Sequence, residues 1–387
     1  MPDHVRNHSA GTESDPAVEA RGRHCDPPAD SAREPCILYT EGDELYAAML
    51  AAIRAARRHV CLESYIFSVD EVGRRFVEAL QERAANGVRV HLMVDAVGSL
   101  LGFSRAVERE LRKAGVQVRR FHRWSWRRPW LVNRRDHRKL LVVDGRQAWL
   151  GGYNIQRECS REVVGEARWR DTHVGVGGCL ARRAQLLFDA FWYQRGDRVP
   201  TPECPADHSV LLSNQTRRGR LHLNRVLHRM MAGSRHTLDL TTPYFVPTHS
   251  IRMALQAAAR RGVRVRLLVP RRSDVALAQW AGRAVYDEMI NNGIRVYEYL
   301  PRFIHAKTMV ADGERSLVGT ANLDYRSLLL NYELVLQSRQ RELAAGLEAR
   351  FERDLTEARE VRAEHWRRRP RTARLAEALA WSLRRWL

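Results

Sequence analysis

Lysine is scarce in this chain of 387 residues: three of its 65 basic side chains are lysines, Lys113, Lys139 and Lys307. The six cysteines show no CxxC spacing, which predicts free thiols in a reducing compartment rather than a metal site or disulfides. No apolar run reaches the ~18 residues that a membrane span needs, and the N-terminus lacks the apolar segment of a signal peptide. The sequence therefore predicts neither membrane-spanning helices nor secretion.

Positive charge is in clear excess. The formal net charge is +20, while 44% hydrophobic and 28% charged residues are typical of a soluble globular protein. The length suits about two domains. The charge predicts an anionic partner, either a nucleic acid or an anionic membrane surface.

The chain repeats one pattern of helices and strands, which predicts a tandem duplication of an α/β unit. Residues 85–94 and 260–269 both carry Gly-Val-Arg-Val, then His91 or Arg266, and then three apolar residues. We expect a disordered leader (1–34), a first lobe (35–200), a junction (200–205), a second lobe (206–355) and a C-terminal tail (356–387). Periodicity predicts helices over 45–56, 72–85 and 250–261, and strands over 60–67, 88–94, 238–245 and 263–269.

One polar skeleton occurs twice, with its histidines 168 positions apart. The two copies are His137, Lys139, Asp144, Gly151 and Asn154, and His305, Lys307, Asp312, Gly319 and Asn322. The apolar residues after each lysine predict a strand, on which alternate side chains share a face. Each histidine and its lysine would therefore point the same way, and a pseudo-two-fold axis between the halves would bring both pairs to one site. Of the three lysines, two stand in these copies, which favours a compact ammonium over a guanidinium there.

Two histidines and two lysines suit phosphodiester exchange in two steps. One histidine attacks phosphorus and forms a phosphohistidine, while the other protonates the leaving alkoxide and later deprotonates the incoming alcohol or water. The lysines, with Asn154 and Asn322, would stabilise charge on the phosphate oxygens. We expect no metal and no other cofactor.

Carboxylates complete the candidate set. A histidine in such a site needs a carboxylate on its other ring nitrogen. Asp171 lies 34 positions after His137, and Glu333 lies 28 positions after His305, a comparable placement in each half. Asp144 and Asp312 also belong to the candidate catalytic set, although their place before a glycine at a strand end favours a turn role.

The two skeletons match H-x-K-x4-D-x6-G-(G/S/T)-x-N, so residues 36–387 resemble the phospholipase D superfamily. The similarity is closest to the bacterial cardiolipin synthases, in the short form without N-terminal transmembrane helices. It extends to residues 62–67, 169–173, 242–247, 282–299 and 319–327.

This resemblance implies two α/β/α sandwich lobes with the active site at their interface. It also implies phosphatidyl transfer from phosphatidylglycerol to the hydroxyl of a second lipid or alcohol. His137 would be the nucleophile and His305 the acid and base, although the duplication leaves the reverse open. Gly152 replaces a serine common in the family, so only Thr320 would offer the phosphate a hydroxyl.

Two further segments bear on the partner. Leu375, Leu379, Leu383 and Trp386 form one helix face, flanked by Arg371, Arg374, Arg384 and Arg385. That face suits an anionic bilayer or packing on the core. A ten-residue insertion before His137 holds Trp124, Trp126, Arg127, Arg128 and Trp130, suited to lipid headgroups or to a packed loop.

We therefore expect a peripheral protein on the cytoplasmic face of a bacterial membrane that binds phosphatidylglycerol and cardiolipin. Nucleic acid is the less favoured partner, and the oligomeric state stays open. The rival functions are a hydrolytic phosphodiesterase (phospholipase D or nuclease) and a non-catalytic basic binder.

Overall fold

Both halves of the chain build a mixed sheet covered by helices, in a computed structural model that describes residues 36–122, 126, 133–194 and 209–384. The predicted leader and junction lie outside these residues, and the predicted domain boundaries stay predictions. Of the predicted tryptophan–arginine insertion, only Trp126 lies within them, and its side chain is exposed.

The first half forms a seven-stranded sheet in the order β1-β7-β6-β5-β2-β3-β4. The strands β2, β3 and β4 at one end of the sheet are parallel, and the other neighbours are antiparallel. The strands are β1 (Ile37–Tyr39), β2 (His59–Ser64), β3 (Arg89–Asp95), β4 (Gln117–Phe121), β5 (Leu140–Val143), β6 (Gln147–Gly151) and β7 (His173–Gly177). The helices are α1 (Gly42–Ala55), α2 (Glu71–Ala85), α3 (Arg105–Lys113), α4 (Arg161–Val164) and α5 (Gly178–Trp192).

The second half repeats this plan with added elements. Its strands are β8 (Ser209–Ser213), β9 (Thr237–Thr241), β10 (Phe245–Val246), β11 (Arg264–Pro270), β12 (Arg295–Tyr299), β13 (Thr308–Ala311), β14 (Arg315–Gly319), β15 (Leu323–Asp324), β16 (Leu334–Ser338) and β17 (Ala358–Glu360). Its helices are α6 (Arg217–Gly233), α7 (His249–Arg260), α8 (Ala276–Arg283), α9 (Tyr286–Asn291), α10 (Arg341–Thr356), α11 (Ala363–Arg367) and α12 (Arg371–Ser382).

The strand order confirms the predicted duplication and the α/β class. The second sheet runs β8-β16-β14-β13-β9-β11-β12-β17, which matches the first sheet strand for strand and adds only β17 at its edge. Local signals repeat as well. Asp70 and Thr248 cap the starts of α2 and α7, and Gly87 and Gly262, both with positive φ, follow the ends of these helices.

Two predicted strands run too far. β2 ends at Ser64, whose hydroxyl donates to the carbonyl of Ile66 at 2.6 Å, and Thr242 makes the same turn with Tyr244 at 3.1 Å. After each turn the chain leaves the main sheet, and Phe245 pairs in parallel with Leu323 in a separate two-stranded sheet. Tyr65 and Tyr244 lie in these turns, one residue after Ser64 and two residues after Thr242.

Three large apolar clusters form the core. One packs α1, α2 and α3 on the first sheet, and a second packs α6, α7 and α9 on the second sheet. The third joins the halves, because residues of β5, β6 and α5 share it with residues of β13, β16 and α10. The helices α5 and α10 thus each contribute one buried face to the cluster that joins the two sheets.

The C-terminal helix packs on the core with one face and exposes apolar residues on another. Ala380 is buried and Trp381 packs with it against α8, in a small cluster that includes Ala281. On its other face, Leu375 and Leu379 stay exposed, as does Leu383 just beyond the helix. Arg385 and Trp386 lie outside the described residues.

The cysteines correct one prediction. Cys61 and Cys159 are buried free thiols, whereas Cys179 is disulfide-bonded. Cys25 and Cys204 lie outside the described residues. Sequence spacing missed this bond because it is not a local CxxC pair.

No helix among residues 36–122, 133–194 and 209–384 is long and apolar enough to cross a membrane.

Candidate functional site

The two histidines lie where the halves exchange backbone hydrogen bonds. His137 N donates to the carbonyl of Tyr332 at 3.0 Å, just before β16 in the second half. In return, His305 N donates to the carbonyl of Arg170 at 2.7 Å, just before β7 in the first half. Each histidine is therefore held against the segment that carries the other half's carboxylate.

This exchange corrects the pairing expected from spacing. His137 Nδ1 donates to Glu333 Oε2 at 3.0 Å, and His305 Nδ1 donates to Asp171 Oδ2 at 2.6 Å. Each carboxylate thus serves the histidine of the opposite half, because its segment crosses the interface. All four side chains are buried, and the Nδ1 bonds leave Nε2 of each ring for substrate.

Thr320 corrects a second expectation, that of a hydroxyl for the phosphate. Its Oγ1 donates to Glu333 Oε2 at 2.5 Å and accepts from Leu334 N at 2.9 Å, so its one proton is already committed. Gly152 is the equivalent in the first half, where a Cβ would stand 1.9 Å from Asp171 Oδ1. Asp171 instead accepts from Thr172 N at 2.7 Å. The halves therefore hold their carboxylates differently.

The lysines lie directly behind the histidines. Lys139 Nζ donates to the carbonyl of His137 at 2.9 Å, and Lys307 Nζ donates to that of His305. The exposed fractions of the two lysines are 2% and 4%. Neither lysine lines the cavity described next, so each acts on it through its charge and through the histidine whose carbonyl it holds.

Both histidines and both asparagines face one cavity of about 520 Å³. It opens between the halves, and its other lining residues are Tyr65, Ile66, Val97, Gly98, Trp169, Tyr244, Val246, Asp274, Val275, Ala278, Asp324, Arg326 and Asn331. Asn154 is fixed there because its Oδ1 accepts from Ile66 N at 3.2 Å. The structure thus brings together the predicted histidines, asparagines, lysines, Asp171 and Glu333.

Burial and mutual repulsion disfavour positive charge in this site. Burial, followed by the charge of Lys307, lowers the pKa of Lys139 to about 7. Burial also lowers the pKa of Lys307 to about 8. The pKa of His137 falls well below its usual value through burial and both lysines. An anionic group in the cavity would reverse these shifts, since it favours the protonated forms.

The two carboxylates have shifts of opposite sign. Burial raises the pKa of Glu333 to about 7. For Asp171 burial acts in the same upward direction, but the charges of Lys307 and His305 outweigh it and lower the pKa. Burial, followed by the charge of Lys307, also lowers the pKa of His305, but the charge and hydrogen bond of Asp171 at 2.6 Å oppose that shift. His305 is therefore better placed than His137, whose pKa falls well below its usual value, to hold a proton.

Asp144 and Asp312 are not brought to the site. Each follows the far end of its strand with positive φ, 54° and 56°. The carboxylate of Asp144 accepts from the backbone N–H groups of residues 57–59, and that of Asp312 from those of residues 235–237. Both aspartates hold a turn against a neighbouring strand, which is a structural placement and removes them from the candidate catalytic set.

Sequence reasoning missed the aromatic wall of the cavity. The Tyr65 ring lies 5.0 Å from that of His137, and the rings of Trp169 and Tyr244 lie 5.3 Å and 6.5 Å from that of His305. The signal was present, because Tyr65 and Tyr244 lie in the turns that follow the equivalent strands β2 and β9.

No cluster of three or more His, Cys, Asp or Glu side chains within the described ranges is arranged to hold a metal ion.

Comparison with known proteins gives the family of the chain. Residues 49–164 and 227–355 match the family described as "Cardiolipin synthase, PLD-like domain". The cardiolipin synthase of Geobacillus kaustophilus is 34% identical over 93% of this chain and 73% of its own length. Cardiolipin synthase A of Pseudomonas fluorescens is 34% identical over 90% of this chain and 75% of its own length.

Solved structures agree on the fold. A phosphatidylserine synthase from Haemophilus influenzae superposes with a TM-score of 0.71, covering 91% of this chain and 95% of its own. A polyphosphate kinase from Porphyromonas gingivalis superposes with a TM-score of 0.60 over 86% of this chain and 49% of its own. At 14% identity each, both comparisons show the architecture alone.

Proposed function

Because the chain belongs to the cardiolipin synthase branch of the phospholipase D-like family, we propose that it is a phosphatidyltransferase. It transfers the phosphatidyl group of phosphatidylglycerol to the hydroxyl of a second lipid or alcohol and releases glycerol. One observation carries the proposal: two histidines, each with a carboxylate on Nδ1, face a single cavity, which leaves Nε2 of each ring for a substrate.

In the first step, His137 Nε2 attacks phosphorus and the bond from phosphorus to the glycerol oxygen breaks. His305 gives its Nε2 proton to that oxygen, so glycerol leaves neutral. The roles follow from the asymmetry of the pairs. The low pKa of His137 keeps its electron pair available, and the ionised Asp171 supports a proton on His305. Lys139 and Lys307 offset charge on the non-bridging oxygens.

In the second step, the acceptor hydroxyl gives its proton to His305 and its oxygen attacks the phosphohistidine. The bond between phosphorus and His137 Nε2 breaks, which restores both histidines. Water in place of the acceptor would give phosphatidic acid, so the outcome depends on which hydroxyl reaches the cavity.

The reaction is tested by incubating the full chain with phosphatidylglycerol vesicles and chromatographing the lipids. Cardiolipin with an equal amount of glycerol is expected. Phosphatidic acid without cardiolipin would show a hydrolase instead. Unchanged lipid together with cleavage of added DNA would overturn the lipid function.

The histidine roles are separated with a phosphatidyl ester of p-nitrophenol, whose leaving group needs no acid. We expect His305→Ala to accumulate ³²P-labelled protein, because attack by His137 proceeds while the second step lacks its base. His137→Ala should neither label nor turn over. His365→Ala, an exposed histidine on α11, is the matched control and should behave as the unaltered protein. Equal labelling of the two site variants would contradict the assignment.

We further propose that the partner is the anionic cytoplasmic face of a bacterial membrane, with the protein bound peripherally. The net charge of +20 and the exposed Leu375, Leu379 and Leu383 beside exposed arginines support this. Nucleic acid shares the attraction to positive charge but gains nothing from an exposed leucine face.

A further inference from the structure

We propose that the turn between β3 and α3, residues 96–104, inserts into the bilayer and acts with α12 to set the mouth of the cavity against the lipid surface. This surface proposal rests on the proposed lipid substrate and names the element of the first half that meets the membrane. It starts from exposure: Leu101 is fully exposed at 100% and Leu100 is exposed to 64%.

The two leucines stand on a rigid support. The carboxylate of Asp95 accepts from Val97 N and Gly98 N, both at 2.9 Å. Ser99 Oγ donates to the carbonyl of Tyr65 at 2.9 Å and accepts from Phe67 N at 3.0 Å. On the far side, Phe103 is fully buried. A turn fixed at both ends by buried partners therefore holds Leu100 and Leu101 out into the surroundings.

The turn is continuous with the active-site cavity. Val97 and Gly98 line its wall on the first half, and Val275, just before α8, lines it on the second half. Val97 and Val275 are themselves exposed to 43% and 41%, so each half contributes an exposed apolar side chain to the cavity wall. A lipid whose headgroup entered between Val97 and Val275 would keep its acyl chains against apolar side chains.

The second half completes this surface through α12. That helix packs on α8 through Ala380 and Trp381 and turns Leu375 and Leu379 outward. Each half therefore presents exposed leucines, on the turn in the first half and on the helix packed against α8 in the second. Apolar side chains in two separate places suit a bilayer, which can contact both at once.

Charge selects an anionic bilayer as the occupant. Arg105 is exposed directly after the turn, and Arg371 and Arg374 are exposed on α12 beside the leucines. Arginine at the rim of an apolar patch attracts lipid phosphates while the leucines enter the acyl region. The same headgroup chemistry, a phosphate diester, is what the cavity would take as substrate.

The test compares the full chain with the variant L100S/L101S on two forms of one substrate. Sedimentation with phosphatidylglycerol vesicles should show that the variant binds with an affinity at least about tenfold lower, because two leucines no longer enter the acyl layer. Glycerol release from vesicles should fall in parallel. Release from dihexanoyl phosphatidylglycerol below its micelle concentration should stay within about twofold, since neither leucine lines the cavity. Leu221→Ser, at a leucine on α6 exposed to 50%, is the matched control and should change neither.

Three results would overturn the proposal. They are unchanged vesicle binding by L100S/L101S, an equal loss on vesicles and on monomeric lipid, or a dimer in the unaltered protein that the variant dissociates. The last result would make the turn a contact between copies. Failure of the proposed function is distinct, because the unaltered protein would then release no glycerol from either form while its vesicle binding could still be compared.

Discussion

Thr320 and Gly152 are equivalent residues with different consequences for the two histidines. The Thr320 hydroxyl donates to Glu333, whereas Gly152 offers Asp171 no hydroxyl and leaves its carboxylate room to approach His305. The hydroxyl lowers the pKa of Glu333, opposing burial, which raises it. A residue expected to hold phosphate therefore tunes the carboxylate partner of His137.

Thr320→Val should raise the pKa of Glu333 further above its value of about 7. Because ionised Glu333 is needed on His137, the acid limb of kcat/KM should move to higher pH, with a loss on the order of tenfold at pH 7. Profiles on monomeric phosphatidylglycerol measure this, and Thr320→Ser should restore the original limb. Identical limbs in the valine and serine variants would argue against it.

The site lysines predict that binding of an anion takes up protons. With pKa values of about 7 and about 8, Lys139 and Lys307 are partly neutral near pH 8. A bound phosphodiester favours the ammonium form, so affinity should fall as pH rises from 7 to 9.

Diethyl phosphate is a suitable probe, since it stays a monoanion over this range. Titration calorimetry in buffers of different ionisation enthalpy gives the protons taken up per anion bound. Lys113→Gln, at the exposed third lysine, should leave the uptake unchanged, whereas Lys307→Gln should reduce it. Zero uptake in the unaltered protein would contradict the depressed pKa values.

At the residue scale the duplication made much of the site predictable. The repeated spacing identified His137, His305 and both asparagines, and the structure places all four on one cavity. The contact of Thr320 was not predictable, because a hydroxyl beside a phosphate site and one beside a carboxylate look alike in sequence.

At the element scale, Asp144 and Asp312 show what the conserved spacing inside each repeat does. The carboxylate of each aspartate bonds three consecutive N–H groups, which fixes β5 against β2 and β13 against β9 at the ends remote from the histidines.

Asp144→Asn should lower the free energy of unfolding at pH 7, because the three N–H groups lose a charged acceptor. The loss should be only about 1 kcal/mol, because solvent screens these partly exposed hydrogen bonds. Its kcat/KM should stay within about twofold, since the residue is remote from the cavity. The N–H groups lower the pKa of Asp144 in the fold, outweighing burial. The stabilisation is therefore present above the unfolded pKa and lost as pH falls through the folded one. In urea unfolding, the difference in free energy of unfolding between the unaltered protein and Asp144→Asn should shrink below about pH 4. If the variant kept native stability but lost its activity, the structural role of Asp144 would be wrong.

Helices and strands were predictable where periodicity is strong, as in α2 and β3. The strand ends were not, because Ser64 and Thr242 bond locally to carbonyls two residues on and turn the chain out of the sheet despite apolar residues beyond. Apolar pattern alone cannot distinguish a longer strand from a turn that begins a second small sheet.

At the scale of the whole molecule, a buried ion pair fastens the halves beside the site. Arg170, whose carbonyl accepts from His305, donates to Asp354 of α10 at 2.7 Å, and both residues are buried. Asp354→Asn should lower the free energy of unfolding by about 3 kcal/mol, because it leaves Arg170 buried without its counter-charge. Glu342→Gln, at an exposed position on the same helix, should cost about 0.5 kcal/mol or less.

Urea unfolding of both variants provides the comparison. Equal effects would show that the pair does not hold the halves together. The duplication itself was readable from sequence, but the exchange of carboxylates across the interface was not. Spacing within each half places Asp171 nearer to His137, and only the crossing of backbone at the interface assigns it to His305.

The exchanged carboxylates carry a consequence for the origin of the chain. In an ancestor with one lobe, the histidine would have been oriented only in a dimer, in which each copy supplied the carboxylate for the other copy's histidine. Once the two copies were joined in one chain, each lobe always had the carboxylate of the other, and the two lobes no longer had to keep the same sequence. Thr320 opposite Gly152 is the kind of divergence that identical copies could never show, and it is where one histidine could specialise in attack and the other in proton transfer.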